Sequence, residues 1–280
     1  MIGLPGCELY WDPMLGTAEK WYCRLWGVPI IGLRIRLRRL RRLLPVTATS
    51  VLDAGCGRGV ITRYLARRYR YAQVDGLDEN ETGQRINQTI AENLSLGNCH
   101  FTVADVLTYR KPDYYDLIVS IDNLEHIKDD MAALTNFHAS LRESGTLIIH
   151  APHYYRRWPV FRWTVNFDVP GHMRPGYHLS ELTERVRSAG FTVEQSGYSY
   201  GWIENLINNI SYAITGAREK RRGLYAALFP LLNILAWLGQ WARPRFGAAV
   251  WVVANKVARV KQSSVSGRVS GSSAVEIVSN

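Results

Sequence analysis

Cysteine is scarce and scattered in this chain. Its four cysteines, Cys7, Cys23, Cys56 and Cys99, show no CxxC spacing and no paired framework. That excludes a thiolate zinc site and a disulfide scaffold, and leaves reduced thiols of an intracellular protein. No cleavable leader is expected in residues 1–32, because no basic residues precede an early apolar run and no small-residue cleavage site stands out. Long apolar runs are absent too. A spanning helix needs about 20 apolar residues, whereas residues 224–238 give fifteen, broken by Pro230 and Asn233. The 280 residues suffice for a full α/β core, and one domain with insertions is the expectation.

Acidic charge is in short supply overall, and what there is clusters. The net charge is +10, but residues 46–155 carry −4 while residues 1–45 carry +5 and residues 156–260 carry +8. Basic flanks around an acidic middle suit either nucleic acid or anionic lipid.

The acidic middle is organised around Val51-Leu52-Asp53-Ala54-Gly55-Cys56-Gly57-Arg58-Gly59. A short apolar run ends there in an acid and a glycine turn. Val60, Ile61, Tyr64 and Leu65 then repeat at helical spacing. Strand, glycine loop and helix make the unit that lets backbone N–H groups approach a nucleotide-like ligand. A second strand, from Val74, closes on Asp78 and Glu79, with Asp78 lying 21 residues after Gly57. A carboxylate at such a tip can accept both hydroxyls of a ribose. A third strand, residues 101–105, ends in Asp105. A fourth, residues 115–120, ends in Ser120 and runs into Asp122-Asn123-Leu124-Glu125-His126.

Together these four elements resemble the class I S-adenosylmethionine-dependent methyltransferases, in the small-molecule branch that includes quinone-biosynthesis enzymes. The resemblance covers residues 47–200 and a last strand near 248–257. A dinucleotide oxidoreductase would use Gly-x-Gly-x-x-Gly, and glycines at 55, 57 and 59 fit the methyltransferase pattern better. The resemblance implies a doubly wound, mostly parallel seven-stranded sheet with an antiparallel last strand and a helical insertion. It implies S-adenosylmethionine held by Gly55, Cys56, Gly57 and Gly59 at the methionine part, with Asp53 holding the loop. Asp78 and Glu79 would face the ribose, Asp105 and Val106 the adenine edge, and Ser120 the rim. Some quinone-type relatives bind a divalent metal through an acid-x-x-Glu-His group, which Asp122, Glu125 and His126 match. The reading taken here is that these three make local hydrogen bonds, with no metal assigned. His126 and His153 are the candidate general bases, histidine being suited to proton removal near neutral pH.

Residues 33–44 carry six arginines with Leu33, Leu37, Leu40 and Leu44 on one face, ending at Pro45. Such a helix suits a membrane surface or packs its leucines on the sheet. Helices are expected over residues 127–142 and from Ser180 to Gly190, with strands at 146–151, 191–195 and 248–255. The aromatic and basic loop at 154–178 would hang over the carboxyl ends of the strands. The chain therefore divides into an N-terminal lid or amphipathic segment (1–46), the core (47–200), an apolar helical insertion (201–246), a final strand (247–260) and a disordered tail (261–280). Pro230 is expected to kink or split the insertion's helix.

These features point to methyl transfer to a small-molecule or lipid-linked acceptor, at oxygen, by a cytoplasmic enzyme peripheral to an anionic membrane, with a homodimer open. Carbon methylation of a quinone-like ring, methylation of a surface glycan, and an inactive cofactor-binding partner subunit stand as alternatives. Nucleic acid is an unfavoured partner, because the Asn/Asp-Pro-Pro-aromatic turn of base-methylating enzymes is replaced by Asp122-Asn123-Leu124-Glu125.

Overall fold

The computed structural model describes residues 4–155, 171–215, 222–241 and 244–257. Much of the aromatic loop and the expected disordered tail lie outside them. Five strands run parallel: β1 (Ser50–Ala54), β2 (Gln73–Asp78), β3 (Cys99–Val103), β4 (Tyr115–Ile121) and β5 (Leu141–Pro152). Then β6 (Phe191–Ser199) and β7 (Ala249–Lys256) complete one sheet of order β3-β2-β1-β4-β5-β7-β6, with β7 antiparallel to both neighbours. This is the expected doubly wound sheet. Its central strands are apolar on both faces because both faces are covered. Val51, Leu117, Val119 and Ile148 point one way, and Leu52, Ile118, Leu147 and Ile149 the other.

Helices α1 (Thr17–Trp26) and α2 (Ile31–Leu43) precede the sheet, and α3 (Val60–Arg68) and α4 (Glu81–Asn93) follow its first two strands. Leu37, Leu40 and Leu44 pack with Ile61 and Leu65 of α3 on one face, so the leucine stripe of residues 33–44 joins the core. On the other face lie α5 (Asp130–Ser140) and α6 (Leu179–Ser188), through Leu134, Phe137, Leu182 and Val186.

The helix expected over 127–142 is shorter and later. Leu124–His126 forms a single 3-10 turn, and the Asp129 carboxylate accepts the Ala132 N–H at 2.9 Å to start α5. That cap fixes the boundary, as an oxygen side chain at a helix start satisfies an otherwise orphaned donor. Strand β3 also ends early, leaving Asp105 two residues beyond it.

The insertion is a hairpin of α7 (Trp202–Thr215) and α8 (Arg222–Leu238), packed on Ile31 and Ile35 of α2 and on Tyr200. The expected split at Pro230 does not occur, because α8 runs through it. A proline removes the N–H that would bond the carbonyl four residues earlier, here that of Ala226. The Tyr22 hydroxyl donates to that carbonyl instead, at 2.6 Å. Together with the turn that follows, the helical stretch Gly223–Trp241 reaches 19 residues, long and apolar enough by composition to cross a membrane and longer than the fifteen counted from sequence. Yet its inner face holds Tyr225, Phe229, Leu232 and Ala236 buried against the core. Tyr22→Phe should therefore cost about 1–2 kcal/mol, the cost of a carbonyl left unpaired. Urea denaturation measures this, and an unchanged midpoint would show that Tyr22 does not substitute for the lost donor.

Candidate cofactor and acceptor site

All five parallel strands end on one edge of the sheet, and the first loop there is built from backbone geometry. Gly55, Gly57 and Gly59 have φ of +79°, +51° and +66°, a region side chains avoid. A Cβ on Gly55 would lie 2.2 Å from Asn123 Cγ, and one on Gly59 2.7 Å from the Phe101 ring, while Gly57 faces open space. Beneath the loop, Asp53 is buried and accepts the Thr62 hydroxyl at 2.7 Å. Burial pushes its carboxyl up to about 7, against the pull of the Thr62 hydrogen bond. Asp53 thus ties the end of β1 to the first turn of α3, the two elements that the loop joins.

Asp78, half-exposed at the tip of β2, accepts the Gly57 N–H through Oδ2 at 2.9 Å and the Asn80 N–H through Oδ1 at 3.0 Å. Each carboxylate oxygen offers a further lone pair, so the pair can still take a vicinal diol. Glu79 beside it is exposed. The Cys56 thiol, pushed well up by burial, donates to Gln84 Oε1 at 3.3 Å. Asp105 is turned inward, its Oδ1 accepting the Leu107 N–H at 2.7 Å. Val106 packs among Leu52, Ala54 and Leu77, and buried Ser120 accepts a hydrogen bond from Asn123 at 3.4 Å. The residues therefore form a cradle with an open glycine, an acid at ribose height and an apolar wall, which fits a nucleoside bearing a small amino-acid arm.

Some supporting residues carry no local motif. Gln84 donates to Gly76 and Thr102 carbonyls, and Asn87 donates to Gly57 O at 2.7 Å, bracing the loop from α4. From the N-terminus, Asp12 pairs with Arg58 at 2.9 Å, and Glu8 lies 3.7 and 3.6 Å from Arg63 and Arg67. Helical periodicity hints that Gln84 and Asn87 share an inward face, but nothing in the sequence pairs residue 12 with residue 58.

The rim beyond β4 is divided. Asp122, at φ +50°, turns away to Arg36 and to His150 Nδ1 at 2.6 Å, and His150 Nε2 reaches Ser199 Oγ at 2.6 Å. Glu125 and His126 instead stand with His172, their ligand atoms all within 4.8 Å of one another. His126 is exposed, with Nδ1 3.0 Å from the Gly171 carbonyl. That oxygen only accepts, so Nδ1 carries the proton and Nε2 the lone pair. His153, at the end of β5, is 3% exposed, with Nδ1 2.8 Å from Tyr155 O and rings of His178, Tyr198 and Phe246 around it. It edges an open cleft of about 530 Å³ lined by His178, Thr183, Glu184, Arg187 and Tyr198.

A family model for the methyltransferase domain matches residues 33–196. The chain belongs to that family. Ubiquinone biosynthesis O-methyltransferase of Methylobacterium nodulans is 26% identical over 191 residues, 64% of this chain and 76% of that protein. (S)-coclaurine N-methyltransferase of Thalictrum flavum is 29% identical over 127 residues, but the match spans only 43% of this chain and 35% of that enzyme. In fold, this methyltransferase domain superposes on Haemonchus contortus phosphoethanolamine N-methyltransferase 2 in complex with S-adenosyl-L-methionine, with TM-score 0.61 at 18% identity, over 91% of this chain and 61% of that one. S-adenosylmethionine is the family's cofactor, and the cradle above fits it.

Asp78→Ala should weaken S-adenosylmethionine binding by roughly 1–3 kcal/mol by calorimetry, the cost of leaving sugar hydroxyls unpaired. Unchanged affinity would remove Asp78 from the ribose contact. A second expectation concerns pH. Folded Asp53 holds its proton up to about pH 7, whereas the unfolded chain releases it near 3.8. The fold thus binds the extra proton between these values, and stability falls as pH rises through them, by on the order of 2–4 kcal/mol. Asp53→Asn should flatten that slope in denaturation series; an equal slope in both proteins would assign it elsewhere.

Proposed function

We propose that this methyltransferase transfers a methyl group to a hydroxyl of a small-molecule or lipid-linked acceptor while resting on the cytoplasmic surface of a membrane. The observation that carries the reading is the position of the insertion. It leaves the sheet at Ser199 and returns at Ala249, register partners on the same edge as the glycine loop. Its second helix turns Leu231, Ile234 and Trp237 outward, Trp241 is exposed in the turn that follows, and only 28% of the most apolar window is buried. An apolar face with an arginine beside it, Arg42 over the Trp241 ring, suits the headgroup region. With its inner face tied to α2, α8 lies along the surface in this reading and does not cross it.

Bound S-adenosylmethionine supplies a methyl on a sulfonium, open to in-line attack. What the protein must do is hold the acceptor oxygen in line and take its proton. His126 suits the second task, since it is exposed on the turn that follows β4 and its Nδ1 is held 3.0 Å from Gly171 O, which leaves Nε2 for the acceptor. His153 is buried and suits shaping the neighbouring cleft. The relatives include both O- and N-methyltransferases, and an amine acceptor would use the same base.

Labelled methyl transfer from S-adenosylmethionine into a bacterial lipid extract, against a water-soluble extract, tests this. The expected outcome is label in the lipid fraction, on oxygen by NMR of the product. Loss with His126→Ala should be ~10²–10⁴-fold in kcat at unchanged cofactor affinity. Label only in soluble amines would overturn the acceptor assignment, and no transfer at all would favour an inactive partner subunit.

A further inference from the structure

The six arginines of α2 have different fates. Arg34 donates to the Val28 and Trp26 carbonyls, Arg36 pairs with Asp122, and Arg41 lies 4.7 Å over the Tyr64 ring. Arg38 and Arg42 meet the insertion directly, and Arg39 beside them feels the same buried acid, Glu204. Among the described residues, one carboxylate against three guanidiniums leaves a local excess of two positive charges. Arg38 Nη2 stops 3.7 Å from Glu204 Oε1, beyond hydrogen-bond distance, and its Nε and Nη2 are buried without a hydrogen-bond partner. Arg42 donates to Gln240 O at 2.7 Å and lies 5.8 Å over the Trp241 ring. Gly239 packs on Glu204 so closely that a Cβ would fall 3.0 Å from its Cγ. The excess charge therefore sits where α8 ends, beside exposed Leu238 and Trp241. Burial pushes the Arg38 and Arg39 guanidiniums down, the direction expected of cations lacking enough counter-charge.

Guanidinium forks match phosphate oxygens in pairs, and arginines beside a tryptophan reproduce the depth order of a bilayer, with phosphate just above the acyl boundary. We propose that Arg38, Arg39 and Arg42 seat the phosphate of an anionic phospholipid headgroup, with Leu238 and Trp241 entering the acyl boundary beside it. The seat rests on the membrane-surface reading above and adds to it a lipid class and an address on the protein.

Co-sedimentation of the full chain at fixed ionic strength, with vesicles of phosphatidylcholine alone or with added phosphatidylglycerol, tests the seat. Wild type should prefer the phosphatidylglycerol vesicles. The triple variant Arg38→Gln, Arg39→Gln, Arg42→Gln should lose that preference, by about fivefold per arginine removed, and keep its phosphatidylcholine binding. Unchanged S-adenosylmethionine affinity would show that the variant is folded. Glu204→Gln offers a route independent of removing arginines: freed of its competing anion, the seat should bind phosphatidylglycerol vesicles more tightly. A triple variant that retains the preference, or a Glu204→Gln protein that loses it, would overturn the seat and leave the membrane reading standing. Wild type that ignores every vesicle would overturn both. Inorganic phosphate that displaces wild type from phosphatidylglycerol vesicles, where sodium chloride of equal ionic strength does not, would make the site one for free phosphate and overturn the lipid assignment.

Discussion

The ion pair between Arg36 and Asp122 ties the basic flank of this protein to its catalytic edge. Its carboxylate is shared with His150, which in turn reaches Ser199, so helix α2 and strands β4, β5 and β6 meet in one polar chain. Charged and polar groups withdrawn from water must be paired or they oppose folding. Here the pairing comes from four separate parts of the sequence. Removing Arg36 would leave a half-buried carboxylate at a left-handed residue, at the point where β4 hands over to the acceptor rim. That rim is tied to a helix, α2, which ends at Leu43, shortly before the sheet begins at Ser50.

Two sets of apolar contacts sit on either side of this chain. Toward the N-terminus, Leu9, Cys23 and Val28 pack on Val60 and Ile90, holding the first segment against the glycine loop. Toward the insertion, Ile31 and Ile35 pack with Phe229 and Tyr225. Helix α2 thus serves the loop, the rim and the insertion at once. Its arginines divide accordingly between backbone carbonyls, the rim acid and the insertion's acid.

The sheet and the cofactor cradle were legible in the sequence, because their signals are local. Four of the five parallel strands are short apolar runs with an acid at or near the tip, and positive-φ glycines announce themselves by type. Asp53 and Asp78 could be given different tasks from position alone, one before the loop and one at the next strand tip. What was not legible depends on long-range geometry. Helix α8 survives Pro230 because a tyrosine more than two hundred residues away supplies the missing donor. Asp122 looks like part of an acid-x-x-Glu-His group until its left-handed backbone turns it toward Arg36, and His172 joins Glu125 and His126 from a distant loop. The start of α5 was misjudged for a local reason: Ile127 continues the apolar spacing, while the Asp129 cap sets the true boundary.

The ends of the helical hairpin are register partners on neighbouring antiparallel strands. Two residues so placed are the geometry that a tight turn closes without disturbing either strand. The sheet is therefore topologically complete without the hairpin, and the chain can be understood as an ordinary seven-stranded enzyme with a cassette spliced into its last β-turn. Helix α2 bridges the two parts, with Ile31 and Ile35 on the hairpin and Leu37 and Leu40 on the sheet.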